Sequence, residues 1–231
     1  MRRSDFRVVV SDNRYIKGTI AEIRGTFQLT QLSDYFEFWS PEYGPFYWWP
    51  AKSPIEVIEG AILAQNTSWK NVEKAMRNLR GKTVSEILGI PQLKESIYPA
   101  GLYTRKERYL KEVLRYCQSR IESLSLPNDA REELLDLNGI GRETADSIAL
   151  YAFHQRTIPI DAYTLRLFNR FFGNMLSMRN YDDLRRSLSN IFNQEQLMEF
   201  HALIDEHSKK MCRKIPRCEE CLLRKRCKKK L

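Results

Sequence analysis

Apolar residues through the middle of the chain recur at helical spacing. Ile55, Ile58 and Ile62 form one such set, Val72, Met76 and Leu79 a second, and Leu110, Val113 and Leu114 a third. Each set marks one face of an amphipathic helix. The punctuation agrees: Thr83 and Glu86 have the spacing of a capping box, and Gly89 with Pro91 stops the helix between them. Pro127-Asn128-Asp129 opens a further helix that should run to about Leu137. Alternation is scarce. Only Phe6 to Val10 and Tyr15 to Phe27 read as strands, a small N-terminal β element. The pattern predicts a mainly α protein without internal repeats.

The chain has 231 residues, 42% of them hydrophobic and 29% charged, the balance of a folded globular protein rather than a disordered one. Lys and Arg exceed Asp and Glu by 38 to 29, a net charge of +9. That excess suits a polyanion such as nucleic acid, although a basic soluble protein without such a partner has the same composition. No stretch reaches the roughly 18 apolar residues that span a bilayer. Met1-Arg2-Arg3 and the short patch Val8-Val9-Val10 lack a signal-peptide core. The expected setting is a reducing cytoplasm without membrane contact, where cysteines hold metals more often than disulfides.

Between Leu134 and Ala145, a helix runs into Asn138, Gly139 and Gly141 flank Ile140, and a second helix starts at once near Arg142. Glycines let such a turn approach another surface closely. The new helix then presents its positive end, a natural seat for a phosphate. A plain helical corner also uses Gly-x-Gly. Downstream, Pro159 breaks the preceding helix and Asp161 stands where another begins, the position of an N-cap.

Four of the five cysteines lie in the last twenty residues: Cys212, Cys218, Cys221 and Cys227, spaced C-x5-C-x2-C-x5-C among basic residues. Zinc ribbons pair two CxxC knuckles, and here only one pair is close. Four thiolates in a compact run suit a [4Fe–4S] cluster, with zinc as the alternative. Cys117, among apolar neighbours on a helix, reads as a buried thiol.

A helix-hairpin-helix followed about eighteen residues later by an aspartate at a helix start resembles the endonuclease III superfamily of DNA glycosylases. The cysteine tail resembles that family's cluster loop, with a first gap one residue shorter than its usual six. The resemblance covers roughly residues 45 to 227. It implies a two-lobed helix-hairpin-helix fold: a six-helix barrel lobe over 54–157, and a second lobe from 1–53 and 158–231 carrying the [4Fe–4S] loop. It places Asp161 in the cleft between them as the residue driving cleavage of the N-glycosidic bond. The first forty residues are outside its reach.

Bifunctional members carry a Schiff-base lysine in the second hairpin helix; here Glu143 takes that position. A carboxylate cannot form a Schiff base, so a monofunctional hydrolase is expected. Glu143 is then either a solvated helix residue or a positioner of water. Trp48-Trp49-Pro50, with the downstream Gln65-Asn66-Thr67-Ser68-Trp69 segment, resembles the 3-methyladenine glycosylase branch. There the tryptophans and proline surround the flipped base; in isolation they would read as core anchors. That branch lacks the cluster and uses a modified lysine near the place where Lys209 and Lys210 stand, which makes Lys209 a candidate pocket residue. Leu102, in Gly101-Leu102-Tyr103, resembles the leucine wedge of the family, and Gln65 the residue that plugs the vacated stack. Either could instead serve locally, Leu102 in a core turn and Gln65 as a cap. Asn138, Gly139, Ile140, Gly141 and Arg142 would meet the backbone of double-stranded DNA containing a damaged base. The expected protein is a monomeric glycosylase of alkylated purines. An endonuclease III-like lyase on oxidised or mismatched pyrimidines and a non-catalytic DNA-binding protein are the competing readings.

Overall fold

The computed structural model describes residues 49–123 and 130–228. The expected N-terminal strands and Trp48 lie outside them, and among the described residues there is no strand. The chain divides between Pro159 and Ile160 into two compact units.

In the first unit, α1 (Pro54–Leu63) starts where Ser53 caps it, the Ser53 Oγ accepting from the Glu56 N–H at 3.3 Å, with Pro54 preset for the first turn. Every residue from Val57 to Leu63 is buried, because α2 (Trp69–Leu79), α5 (Tyr103–Ser123) and α7 (Arg142–Tyr151) all pack on this helix. Short α3 (Val84–Leu88) has both capping-box bonds, Glu86 N–H to Thr83 Oγ1 at 3.2 Å and Thr83 N–H to Glu86 Oε2 at 2.7 Å. Next come α4 (Leu93–Ser96) and a 3-10 turn, Tyr98–Ala100. Leu110, Val113, Leu114 and Cys117 all face inward from α5. Burial pushes the Cys117 thiol up to about 12, as befits an inert structural cysteine.

Helix α6 (Ala130–Leu135) ends earlier than the sequence suggests. The Leu137 N–H turns back to the Leu134 carbonyl at 3.2 Å, tightening the last turn, and Gly139 then takes φ 78°. Asp146 of α7 is fully buried; it accepts from Arg131 Nε of α6 at 2.8 Å and from Thr157 Oγ1 at 2.5 Å. One carboxylate thus ties both hairpin helices to the segment leading toward Pro159.

The second unit contains α8 (Ala162–Phe171), α9 (Tyr181–Ile191) and α10 (Gln194–Lys210). Helices α8 and α9 both pack on α10. Leu167, Phe168, Leu184, Leu188, Phe200, Leu203 and Ile204 make its core. Asn193 and Gln196 form the capping box that starts α10. No described helix is long and apolar enough to cross a membrane.

Candidate functional site

The hairpin turn is set by α5. Glu112 Oε1 accepts from the Asn138 backbone N–H and side-chain Nδ2, both at 3.1 Å. The Tyr109 ring lies so close to Gly139 that a Cβ there would fall 2.3 Å from it. Positive φ and this close approach both require glycine. Ile140 is buried and holds the turn shut, while Asn138, Gly139, Gly141 and Glu143 are exposed and Arg142 half-buried. Gly141 is the N-cap of α7 and adds no side-chain cap, so the helix presents its positive end at a bare turn.

Gln65, just past α1, is drawn onto this hairpin. Its Nε2 donates to the Gly139 carbonyl at 3.0 Å and lies 3.2 Å from Thr144 Oγ1. Asn66 beside it adopts φ 53°. Leu102 also has a left-handed backbone, φ 45°, and is 53% exposed, large for a leucine. Gln65 is therefore docked on the hairpin, and Leu102 projects outward rather than joining the core.

Trp49 has two aromatic partners, of which only Trp69 belongs to a segment the sequence had grouped with it. It meets Trp69 edge-on at 5.9 Å between ring centroids and Tyr151 at 4.9 Å. Its indole lies over Gly60, where a Cβ would come within 3.2 Å of Nε1. Pro50 is exposed beside it. Trp69 and Tyr151 sit at the start of α2 and the end of α7, and only the folded packing of both on α1 brings them together.

In the second unit, Asp161 caps α8. Its Oδ1 accepts from the Thr164 N–H at 2.7 Å and the Thr164 hydroxyl at 2.8 Å. The carboxyl is half-buried, and its field reaches two buried groups on α10. Burial holds His201 below the ordinary histidine range, with the Asp161 charge opposing that shift and Lys209 adding to it. Burial pushes Asp205 up to about 6; Lys209 opposes this and Asp161 and Glu206 reinforce it. Lys209 Nζ lies 2.6 Å from Asp205 Oδ2, and Lys210 pairs with Glu206 at 2.9 Å. His201 and Asp205 escaped sequence reasoning because nothing local distinguishes them. Only the contact of α10 with α8 does.

Cys212, Cys218, Cys221 and Cys227 all line one cavity of about 80 Å³, with Leu167, Phe171, Pro216 and Leu223 among its apolar walls. Helix α8 secures the loop. Arg166 Nε donates to the Cys212 carbonyl at 2.7 Å, and Arg170 donates to the Arg213 and Lys214 carbonyls at 2.6 and 3.1 Å. Arg170 also approaches Cys212 Sγ at 3.7 Å, and His207 Nε2 lies 3.6 Å from Cys221 Sγ. Among the described residues, no three His, Cys, Asp or Glu side chains converge tightly enough to chelate a single ion. The thiols instead surround a hollow.

Comparison with known proteins follows the same lines. A protein of Methanocaldococcus jannaschii assigned as a DNA repair glycosylase is 42% identical over 199 residues, 80% of this chain and 90% of its own. A non-covalent endonuclease III–DNA complex superposes with a TM-score of 0.72 at 21% identity, covering 88% of this chain and 96% of that one. Helicobacter pylori 3-methyladenine DNA glycosylase bound to 1,N6-ethenoadenine gives 0.67 at 25% identity, covering 79% and 97%. The family described as HhH-GPD superfamily base excision DNA repair protein matches residues 60–194, more than half the chain. The chain belongs to that superfamily.

Proposed function

We propose that the protein is a monofunctional DNA N-glycosylase that hydrolyses the bond between deoxyribose and an alkylated purine such as 3-methyladenine. The observation carrying this reading is the state of Asp161. Thr164 fixes Oδ1 through two donors, which leaves Oδ2 for a water or the sugar. As the C1′–N bond breaks, the sugar approaches an oxocarbenium ion that a fixed carboxylate stabilises. Water then attacks C1′, its proton passes to Asp161, and the cationic alkylated base departs neutral. Glu143 is exposed at the start of α7 and is assigned to water positioning; as a carboxylate it supplies no Schiff base.

The base would stack on the aromatic group of Trp49 with Trp48 and Pro50, because a cationic purine is attracted to indole faces. Similarity to the 3-methyladenine enzyme supports this choice. Lys209, paired with Asp205, is a pocket candidate by the resemblance to the 3-methyladenine branch. The hairpin residues Asn138 to Arg142 would bind backbone phosphates of duplex DNA, Leu102 would enter the stack, and Gln65 would fill the vacated place. Cys212, Cys218, Cys221 and Cys227 would hold a [4Fe–4S] cluster, each thiolate on one iron. Their placement around a cavity fits a bulky group, which would pin the basic loop and serve structure.

The test is Asp161→Asn on methylated DNA, with released bases identified by mass spectrometry. Asparagine keeps an oxygen for the cap, so folding and duplex affinity should persist while release falls about 10³-fold. Wild type should free 3-methyladenine or 7-methylguanine without strand nicking before alkali. Borohydride-trapped enzyme–DNA adducts would overturn the monofunctional assignment. Unchanged release by the variant would remove Asp161 from the chemistry.

A further inference from the structure

Thr104-Arg105-Lys106-Glu107-Arg108 looks like a solvated helix face, yet Lys106 is 1% exposed. Its Nζ donates to the Ala100 carbonyl at 2.7 Å and the Leu63 carbonyl at 2.9 Å. Its backbone N–H also donates to the Leu102 carbonyl at 3.0 Å. Leu63 is the last residue of α1, two before Gln65, and its carbonyl is one that the helix itself cannot pair. Ala100 ends the 3-10 turn, followed by Gly101 at φ 67° and Leu102 at φ 45°. One side chain therefore grips both loops, and the same residue's N–H grips the strained turn.

We propose that Lys106 is a positioning residue that fixes the spacing between the Leu102 loop and the Gln65 loop, so that both side chains enter the base stack in register. The proposal rests on the reading of Leu102 as wedge and Gln65 as plug. An ammonium suits the task better than a neutral donor, since charge-assisted bonds to carbonyls are the stronger ones. Burial pulls its pKa down to about 8, so the charged form still prevails at neutral pH. A leucine does not keep a left-handed backbone without such restraint.

The probe is a duplex carrying a tetrahydrofuran abasic analogue flanked by 2-aminopurine, whose fluorescence rises when a side chain disrupts the stack. A second probe places the same strand opposite a non-complementary bubble, where the stack is already open. Lys106→Met should slow the rise on the duplex on the order of tenfold, because a displacement near 1 Å has effects of that scale or larger. Binding to the bubble should stay near wild type. Lys106→Gln, which keeps two N–H donors, should recover part of the loss. Leu102→Ala and Gln65→Ala run in parallel. If both slow the rise while Lys106→Met does not, Lys106 is not the positioning residue although the wedge and plug stand. If neither slows it, the wedge-and-plug reading fails and takes the proposal with it. Equal losses on duplex and bubble would show a merely structural lysine. Should Lys106→Met fail to fold, Lys106→Gln is read against wild type. A slower rise on the duplex with unchanged bubble binding then supports the proposal, and no slowing or an equal loss on both probes overturns it.

Discussion

Both compact units bury ionisable groups, but they use them differently. In the unit from Trp49 to Pro159, Lys106 is spent on two backbone carbonyls and Asp146 on Arg131 and Thr157. These are closed arrangements that hold loops and the hairpin in place. In the unit from Ile160, His201 and Asp205 collect around Asp161, and His207 stands beside Cys221. There burial shifts protonation within a group whose members feel one another's charge. The contrast separates a scaffold of closed pairings from a cluster of buried titratable groups beside Asp161. Perturbed ionisation of the second kind is where chemistry concentrates.

The largest test of that contrast is Asp146→Ala. Removing the carboxylate leaves the Arg131 guanidinium, only 10% exposed, without its buried partner. Breaking such a pair costs about 3–5 kcal/mol, measurable as a lower urea midpoint. Lys209→Met breaks an ion pair whose lysine is 47% exposed. The buried Asp205 carboxyl, already raised to about 6, can take up a proton once its partner is gone, so the loss should be clearly smaller than that of Asp146→Ala. Equal costs would erase the distinction between a closed scaffold and an adjustable shell.

Glu59 is the exception inside the scaffold. It is 1% exposed, and its buried Oε2 has no hydrogen-bond partner among the described residues. Burial, with the charge of Glu56, pushes its carboxyl from the ordinary 4.5 up to about 8. A raised folded value means that the native state binds the extra proton between these limits. Its contribution to stability is therefore full below about pH 4.5 and lost as pH rises through 8. Glu59→Gln stays neutral throughout, so it should match wild type near pH 4 and exceed it by about 2–4 kcal/mol at pH 9. Thermal unfolding across that range is the measurement; parallel curves would mean that Glu59 is solvated or paired.

The helical class and several boundaries were legible because their causes are local. Thr83 and Glu86 need only each other to cap α3, and Ile58 and Ile62 need only their spacing to mark the inner face of α1. The hairpin was legible for the same reason, since Gly139 states its own backbone demand. Lys106 and Glu59 were not. Lys106 sits among charged residues and Glu59 on an otherwise apolar helix, and only the packing around α1 shows that both are removed from water. Trp69 and Tyr151 are likewise remote in sequence and meet at Trp49 through α1. The end of α6 was misjudged by two residues because Leu137 continues the apolar pattern while the backbone is already tightening into the turn. Around Asp161, the N-cap was readable from Pro159 and the helix start, whereas His201 and Asp205 enter through α10, some forty residues away. Local signals thus placed Asp161 at a helix start, and tertiary packing supplied the buried groups beside it.

A smaller effect than that of Glu59→Gln should come from Asp205→Asn, and it probes that surrounding shell most directly. Burial raises Asp205 from the ordinary 3.8 to about 6, against the pull of Lys209 and with the push of Asp161 and Glu206; His201 is the other titratable group facing Asp161 from α10. The folded state keeps its proton longer than the unfolded chain, so the associated stability is lost as pH climbs from about 4 to about 6. Asparagine removes that slope, worth about 1–2 kcal/mol once the lost Lys209 pairing is set against it. Chemical unfolding followed from about pH 4 to about pH 7 is the measurement, and a slope equal in the variant and wild type would mean that Asp205 is solvated in the folded protein.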